Sequence, residues 1–171
     1  MTKTTIQALS SIVAGTLFLT GCAGYRLGME NSLPFESIFV DVVANDSFAP
    51  QAQALLTQNL RESIARDPRV KLADREEADV TLTVRLSSYT RQPDAAMVGD
   101  TALARSFRLN LGALVTLQDN RDARTYLNDW PVETESEAFT DSGLTQAEYR
   151  EIPLLTEDLS ARIREKVLDT W

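Results

Sequence analysis

The sequence contains no histidine and one cysteine, Cys22. Lacking imidazole, it has neither the commonest general base near neutral pH nor the commonest metal ligand. No Ser–His or Cys–His nucleophile can be assembled, and no intrachain disulfide can form, so stability must come from packing. Long apolar runs are scarce too. The stretch Ile6–Leu19 is uncharged and mostly apolar or small, but its length of about 14 residues falls short of the roughly 20 that span a bilayer as a helix. There is no glycine-rich phosphate loop. Basic residues are outnumbered, 17 Lys and Arg against 25 Asp and Glu, for a formal charge of −8. That balance argues against nonspecific binding to nucleic acid, where phosphate neutralisation dominates affinity, and against polybasic docking on anionic lipid.

At 171 residues the chain suits one domain. Such a domain buries roughly 68–70% of the surface its unfolded chain exposes, enough for an independent core. The N-terminus has another purpose. Lys3, the apolar stretch after it and the small residues Thr20 and Gly21 give the three-part shape of an export signal; an uncleaved transmembrane anchor is the alternative. Leu19-Thr20-Gly21-Cys22 resembles the bacterial lipobox, in which the thiol takes a diacylglyceryl group and the chain is cut just before it. Small residues before the cysteine let the peptidase reach the bond. On this reading residues 1–21 are removed and Cys22 is the lipid-attachment site. Several acyl chains anchor stably, at roughly 0.8 kcal/mol per buried methylene. Position 23 is Ala, not the Asp that retains enterobacterial lipoproteins at the inner membrane, so the resemblance implies the periplasmic side of the outer membrane. A buried free thiol behind an uncleaved start is the competing expectation.

Residues 22–36 read as a linker, with two glycines and a proline and no sustained periodicity. Ser37–Val43 is rich in β-branched residues and predicts a short strand. Pro50 suits the first turn of a helix. Ala52, Leu56, Leu60 and Ile64 then recur every fourth residue on one face, and Asp67-Pro68 stops the helix. "RVKLAD" predicts a short strand and "REEAD" a charged turn. "DVTLTVRLSSYT" alternates, with Val80, Leu82, Val84 and Leu86 against Thr81, Thr83, Arg85 and Ser87: a strand with one wet face. "RQPDAAMVGD" predicts a loop. The next strand places Leu109, Leu111, Ala113, Val115 and Leu117 opposite Arg108, Asn110 and Thr116. Asp119–Asp122 predicts a hairpin turn, and "ARTYLNDWPVETES" is the returning strand, its register open. Thr145 and Glu148 have capping-box spacing. Leu155, Leu159, Ile163 and Val167 form a second helical stripe, and Pro153 must either start a new helix or kink this one. Every stripe is satisfied by an α+β fold, two helices packed on one face of a roughly four-stranded, mostly antiparallel sheet over residues 37–171.

Enzymatic chemistry finds little support. Glu76, Glu77 and Asp79 are explained by a charged turn. Glu133, Glu135 and Glu137 share one strand face and could ligate a hard cation, although a solvated edge that resists strand pairing explains them more simply. No cofactor is expected. Arg85 and Arg108 sit on wet faces of two long strands, with Arg91 just beyond the first, and their guanidinium groups could bind an anionic ligand in fork geometry; ordinary surface solubility is the plain alternative.

Taken together, Cys-Ala-Gly-Tyr-Arg-Leu after the lipobox, "IFVDVVAN", "LLTQNLRESI", the Ala78-Asp79 pair ahead of a long strand, "FRLNLGALVTLQD" and the closing helix resemble the lipopolysaccharide-assembly lipoprotein family, LptE. The resemblance covers nearly all of the mature chain. It implies a two-helix, four-strand sandwich tethered at the outer membrane, a non-enzymatic plug and assembly partner for the LptD barrel, and contact with lipopolysaccharide. Cys22 carries over as the lipidated residue, with Gly24 and Tyr25 as the signature behind it. A lipid-anchored periplasmic binding protein that delivers an anionic or lipid ligand to a transporter is the second expectation. An envelope enzyme using Glu133–Glu137 with a metal is the third.

Overall fold

Alternating β-branched and leucine-rich runs build the centre of the molecule, and two striped helices cover one side of it. The computed structural model describes residues 33–49, 51–93, 106–139, 144–169 and 171, all within the compact unit Ser32–Trp171. In chain order the elements are β1 (Ser37–Val40), β2 (Ala44–Asn45), α1 (Ala52–Ala65), β3 (Lys71–Leu72), β4 (Val80–Pro93), β5 (Ser106–Asp119), β6 (Thr125–Phe139) and α2 (Leu144–Leu168). They form a six-stranded sheet in the order β3-β1-β4-β5-β6, with β2 also on β4.

The fold class is α+β, as expected, but the sheet is mixed. β4, β5 and β6 form an antiparallel meander, whereas β1, β2 and β3 lie parallel to their neighbours. Parallel pairing of β1 and β3 needs a crossover, and α1 supplies it. β3 falls inside the short strand expected at "RVKLAD", whereas β2, with two residues, is too short to show a period; the sheet has six strands where the pattern predicts about four.

The core lies between sheet and helices. Ile38, Val40, Val80, Leu82, Val84, Leu86, Leu109, Leu111, Ala113, Val115 and Leu117 point into it, against Leu56, Leu60, Ile64, Leu155, Leu159, Ile163 and Val167. Both helical stripes fall on the predicted positions. The helices also touch each other, with the Asn59 amide donating to Thr156 Oγ1 at 3.3 Å. Pro153 begins no new helix. It lies exposed inside α2, so the Tyr149 carbonyl that loses its donor there can turn to water. Nor do Thr145 and Glu148 form a capping box. Both are within the helix, and the Glu148 carboxylate instead accepts from Tyr89 Oη at 3.0 Å.

Polar clamps close one end of the sandwich. Asp67, almost wholly buried, accepts from the backbone N–H of Arg69 and from its guanidinium, and Arg69 reaches across to the Leu168 carbonyl and Asp169. The Arg69 guanidinium holds the Asp67 carboxyl at about 2. At the same end Trp171 meets Phe35 and Tyr126 edge to face, with the Tyr126 and Trp171 ring centroids 5.0 Å apart, and Phe35 and Tyr126 are tilted against each other.

Candidate functional site

The side of the sheet opposite the helices carries the sequence's candidate binding residues. Strand parity puts Thr81, Thr83 and Arg85 of β4 there, beside Arg108, Asn110, Leu114 and Thr116 of β5 and Pro131, Glu133, Glu135 and Glu137 of β6. Arg85 stands opposite Leu114 and Arg108 opposite Gln92, so the two arginines are about 20 Å apart along the sheet. They share a face, not a pocket. The Arg85 guanidinium is held between Asp46 (3.2 Å) and Asp129 (3.7 Å), tying the segment after β2 to a kinked stretch of β6 where Asp129 has φ 45°. Arg108 has Glu137 as its cross-strand neighbour.

Arg91 is on the other side. A register shift between Leu86 and Ser88 sets two residues of β4 against Gly112, and such a bulge reverses the parity of everything after it. Tyr89 and Arg91 therefore stand opposite core residues Leu111 and Leu109, under the start of α2. There Arg91 pairs with Glu148 at 3.2 Å. Burial, then the bond to Glu148, pushes the Tyr89 phenol well above its ordinary range, so Tyr89 remains a protonated donor. Gly112 leaves room for the Ser88 hydroxyl, which a Cβ at that position would force to turn away.

The acidic row is real: Glu133, Glu135 and Glu137 are exposed and face Gly112, Asn110 and Arg108. They lie in line along the strand, and among the described residues no three of His, Cys, Asp and Glu converge as a metal site. Asp79, from the charged turn, is a fastener. Its Oδ2 accepts from the N–H groups of Glu36 and Ser37 at 2.9 and 3.0 Å, and the first of these bonds is the largest of the causes that hold its carboxyl below the usual carboxylate range. The Ala78-Asp79 pair thus pins the segment entering β1 to the foot of β4. Nothing local in the sequence signals the exchange of Glu148 from cap to Tyr89 and Arg91, because that contact joins residues 59 positions apart. Cys22, Gly24 and Tyr25 lie outside the described residues.

No curated protein matches the chain in sequence. Solved structures share its fold. An uncharacterized lipoprotein B from Nitrosomonas europaea is 16% identical, with a TM-score of 0.54, over 85% of this chain and 90% of that one. A minor lipoprotein from Acinetobacter baumannii is 14% identical, with a TM-score of 0.53, over 80% of this chain and 93% of that one. A hypothetical protein from Chlamydia trachomatis is 9% identical, with a TM-score of 0.53, over 78% and 96%. Identities this low speak for architecture alone. The lineage comes from the match of residues 35–169 to the model of the lipopolysaccharide-assembly family, a span that begins at the buried Phe35 and takes in every strand and both helices. The chain belongs to the LptE family.

Proposed function

We propose that this chain is a non-catalytic lipoprotein on the periplasmic side of the outer membrane, a plug and assembly partner for an LptD-like β-barrel that exports lipopolysaccharide. Residues 1–21 are removed as a signal, Cys22 carries the lipid, and residues 22–36 link it to the domain 37–171, with Phe35 already buried in that domain and the Glu36 N–H bonded to Asp79. The family match carries the reading. The open sheet face supports it: threonine, asparagine and charged side chains suit the polar interior of a large barrel, and no described helix covers them. Where the glycolipid touches this chain, Arg85, Arg91 and Arg108 are the proposed contacts, offered as phosphate-binding guanidinium groups. To bind, Arg85 would exchange Asp46 and Asp129 for phosphate, and Arg91 would exchange Glu148.

The test is purification of the natively lipidated chain from outer membranes with a photo-crosslinker at Thr83 on the open face or at Leu154 on the outside of α2. Recovery of a large β-barrel protein, crosslinked from Thr83, is the expected result, with loss of the complex in Cys22→Ala. Failure to recover any barrel with lipidation intact would reject the proposal.

A further inference from the structure

The two edges of the sheet are built differently. β3, at one end, has two residues. β6, at the other, has 15, and no described strand pairs with its outer side. Long open edges invite another strand and are usually shortened, bulged, covered or charged; the glutamate row charges this one with a single sign, which repels an identical edge and leaves it open to a strand of opposite charge. Here the stretch from Pro131 to Phe139 stays in unbroken register with β5. Pro131 fixes which backbone groups face out. A proline fits a ladder only where its missing N–H would point away from the neighbour, so by alternation the N–H and C=O of Glu133, Glu135 and Glu137 point outward as well.

The same three residues present exposed carboxylates on the open face. On the helix side, β6 offers Trp130 and Val132 at the wall of a cleft of about 410 Å³ that reaches Arg162, Glu165 and Lys166 of α2. Trp130 is 46% exposed, with the Lys166 ammonium 4.1 Å from its ring centroid. Further along, Ser136 Oγ donates to Glu151 at 2.5 Å and Thr134 donates to Asp158. Leu154, 57% exposed, lies three residues after Glu151 and four before Asp158, hence on that same flank of the helix.

We infer that the outer edge of β6 is a docking site for an extended segment of a partner polypeptide, one that adds a strand beside Pro131–Phe139 and alternates basic with apolar side chains. Its Lys or Arg residues would stand on the open face across from Glu133, Glu135 and Glu137, and its apolar residues would lie against Trp130, Val132 and Leu154. Backbone bonding supplies the attachment and the alternating side chains the specificity. A second copy of this chain is the wrong occupant, because antiparallel self-pairing about Glu135 would set carboxylate against carboxylate. The inference stands apart from the barrel reading, since it concerns the edge of the sheet and not its open face.

The experiment titrates the full-length chain in detergent with a capped peptide of about eight residues alternating Lys and Val, a length that matches the open edge. Amide hydrogen exchange is followed residue by residue. The expected result is that exchange at Glu133, Glu135 and Glu137 slows by about tenfold or more at saturation while the far edge at Lys71 and Leu72 is unchanged. The same peptide N-methylated at alternate residues, unable to bond along one edge, should lose that protection. The variant Glu133→Lys/Glu135→Lys/Glu137→Lys should refuse the Lys–Val peptide and accept a Glu–Val one. Three outcomes would overturn the inference: equal binding of the N-methylated peptide, undiminished binding of Lys–Val to the triple variant, or protection of these amides by protein concentration alone, which would make the occupant a second copy.

Discussion

One face of the sheet holds the molecule together and the other leaves it free to be altered. On the helix side Ile38 of β1, Leu82 and Leu86 of β4 and Leu109, Val115 and Leu117 of β5 are fully buried, meeting Leu56, Leu60, Leu155, Leu159 and Ile163. On the other side Thr81, Arg85, Asn110 and Thr116 are half-buried, while Thr83 and Arg108 are exposed. Apolar burial contributes roughly 25 cal/mol per Å², so the energetics of folding sit on the first face, and substitutions on the second are tolerated unless a partner covers it. The comparison breaks most directly in two variants. Leu159→Ala removes a side chain with no exposed surface and should cost about 2–5 kcal/mol in urea unfolding. Thr83→Ala should stay within about 0.5 kcal/mol of the parent. Equal losses would mean that the open face is packed against something in the isolated chain.

Acid sharpens the same contrast. Asp67 clamps the end of α1 to the end of α2, and its carboxyl is held at about 2, chiefly by its hydrogen bond from the Arg69 side chain. A carboxylate depressed in the folded state stabilises above its unfolded value and loses that contribution as pH falls through the folded one. The loss here should run from about pH 4 down to about pH 2 and amount to about 2 kcal/mol. Urea unfolding of the parent and of Asp67→Asn, compared at pH 6 and across that interval, checks it: the variant should be weaker at pH 6 and lose less stability on acidification. If both chains lose stability in parallel, acid is acting elsewhere, for instance on Asp79 or Asp158, whose carboxyls are also held low.

Much of the helix-side face can be read directly from sequence, because period marks burial: the stripes of α1 and α2 and the alternation of β4 and β5 each point one way. What escapes is set by contacts between distant residues. β2 is a strand only because β4 lies beside it, and Glu148 leaves its expected cap for Tyr89 and Arg91 of β4. Pro153 is carried within α2 because the helix is anchored on both sides of it, by Ile152 and Leu155 in the core. The candidate binding residues were legible in part. Arg85, Arg108 and the glutamate row follow strand parity onto the open face, but the bulge at Ser87-Ser88 moves Arg91 to the helix side. Its only trace in the sequence is a pair of small residues on one strand and Gly112 on the next.

The smallest expected effect tests the free face most finely. Arg85 pairs there with carboxylates on two separate elements, Asp46 beyond β2 and Asp129 in β6. If those pairs were structural ties, Arg85→Ala would destabilise the fold noticeably. All three side chains are substantially exposed, however, and exposed pairs contribute about 0–1 kcal/mol, less as salt screens them. Arg85→Ala should therefore shift the urea midpoint only slightly at low ionic strength and leave no measurable shift at about 0.5 M salt. A loss of well over 1 kcal/mol that survives salt would show the open face to be part of the scaffold after all. If the shift is small, any defect of Arg85→Ala in glycolipid or barrel binding must come from a lost contact with the ligand or partner, since the fold would be intact.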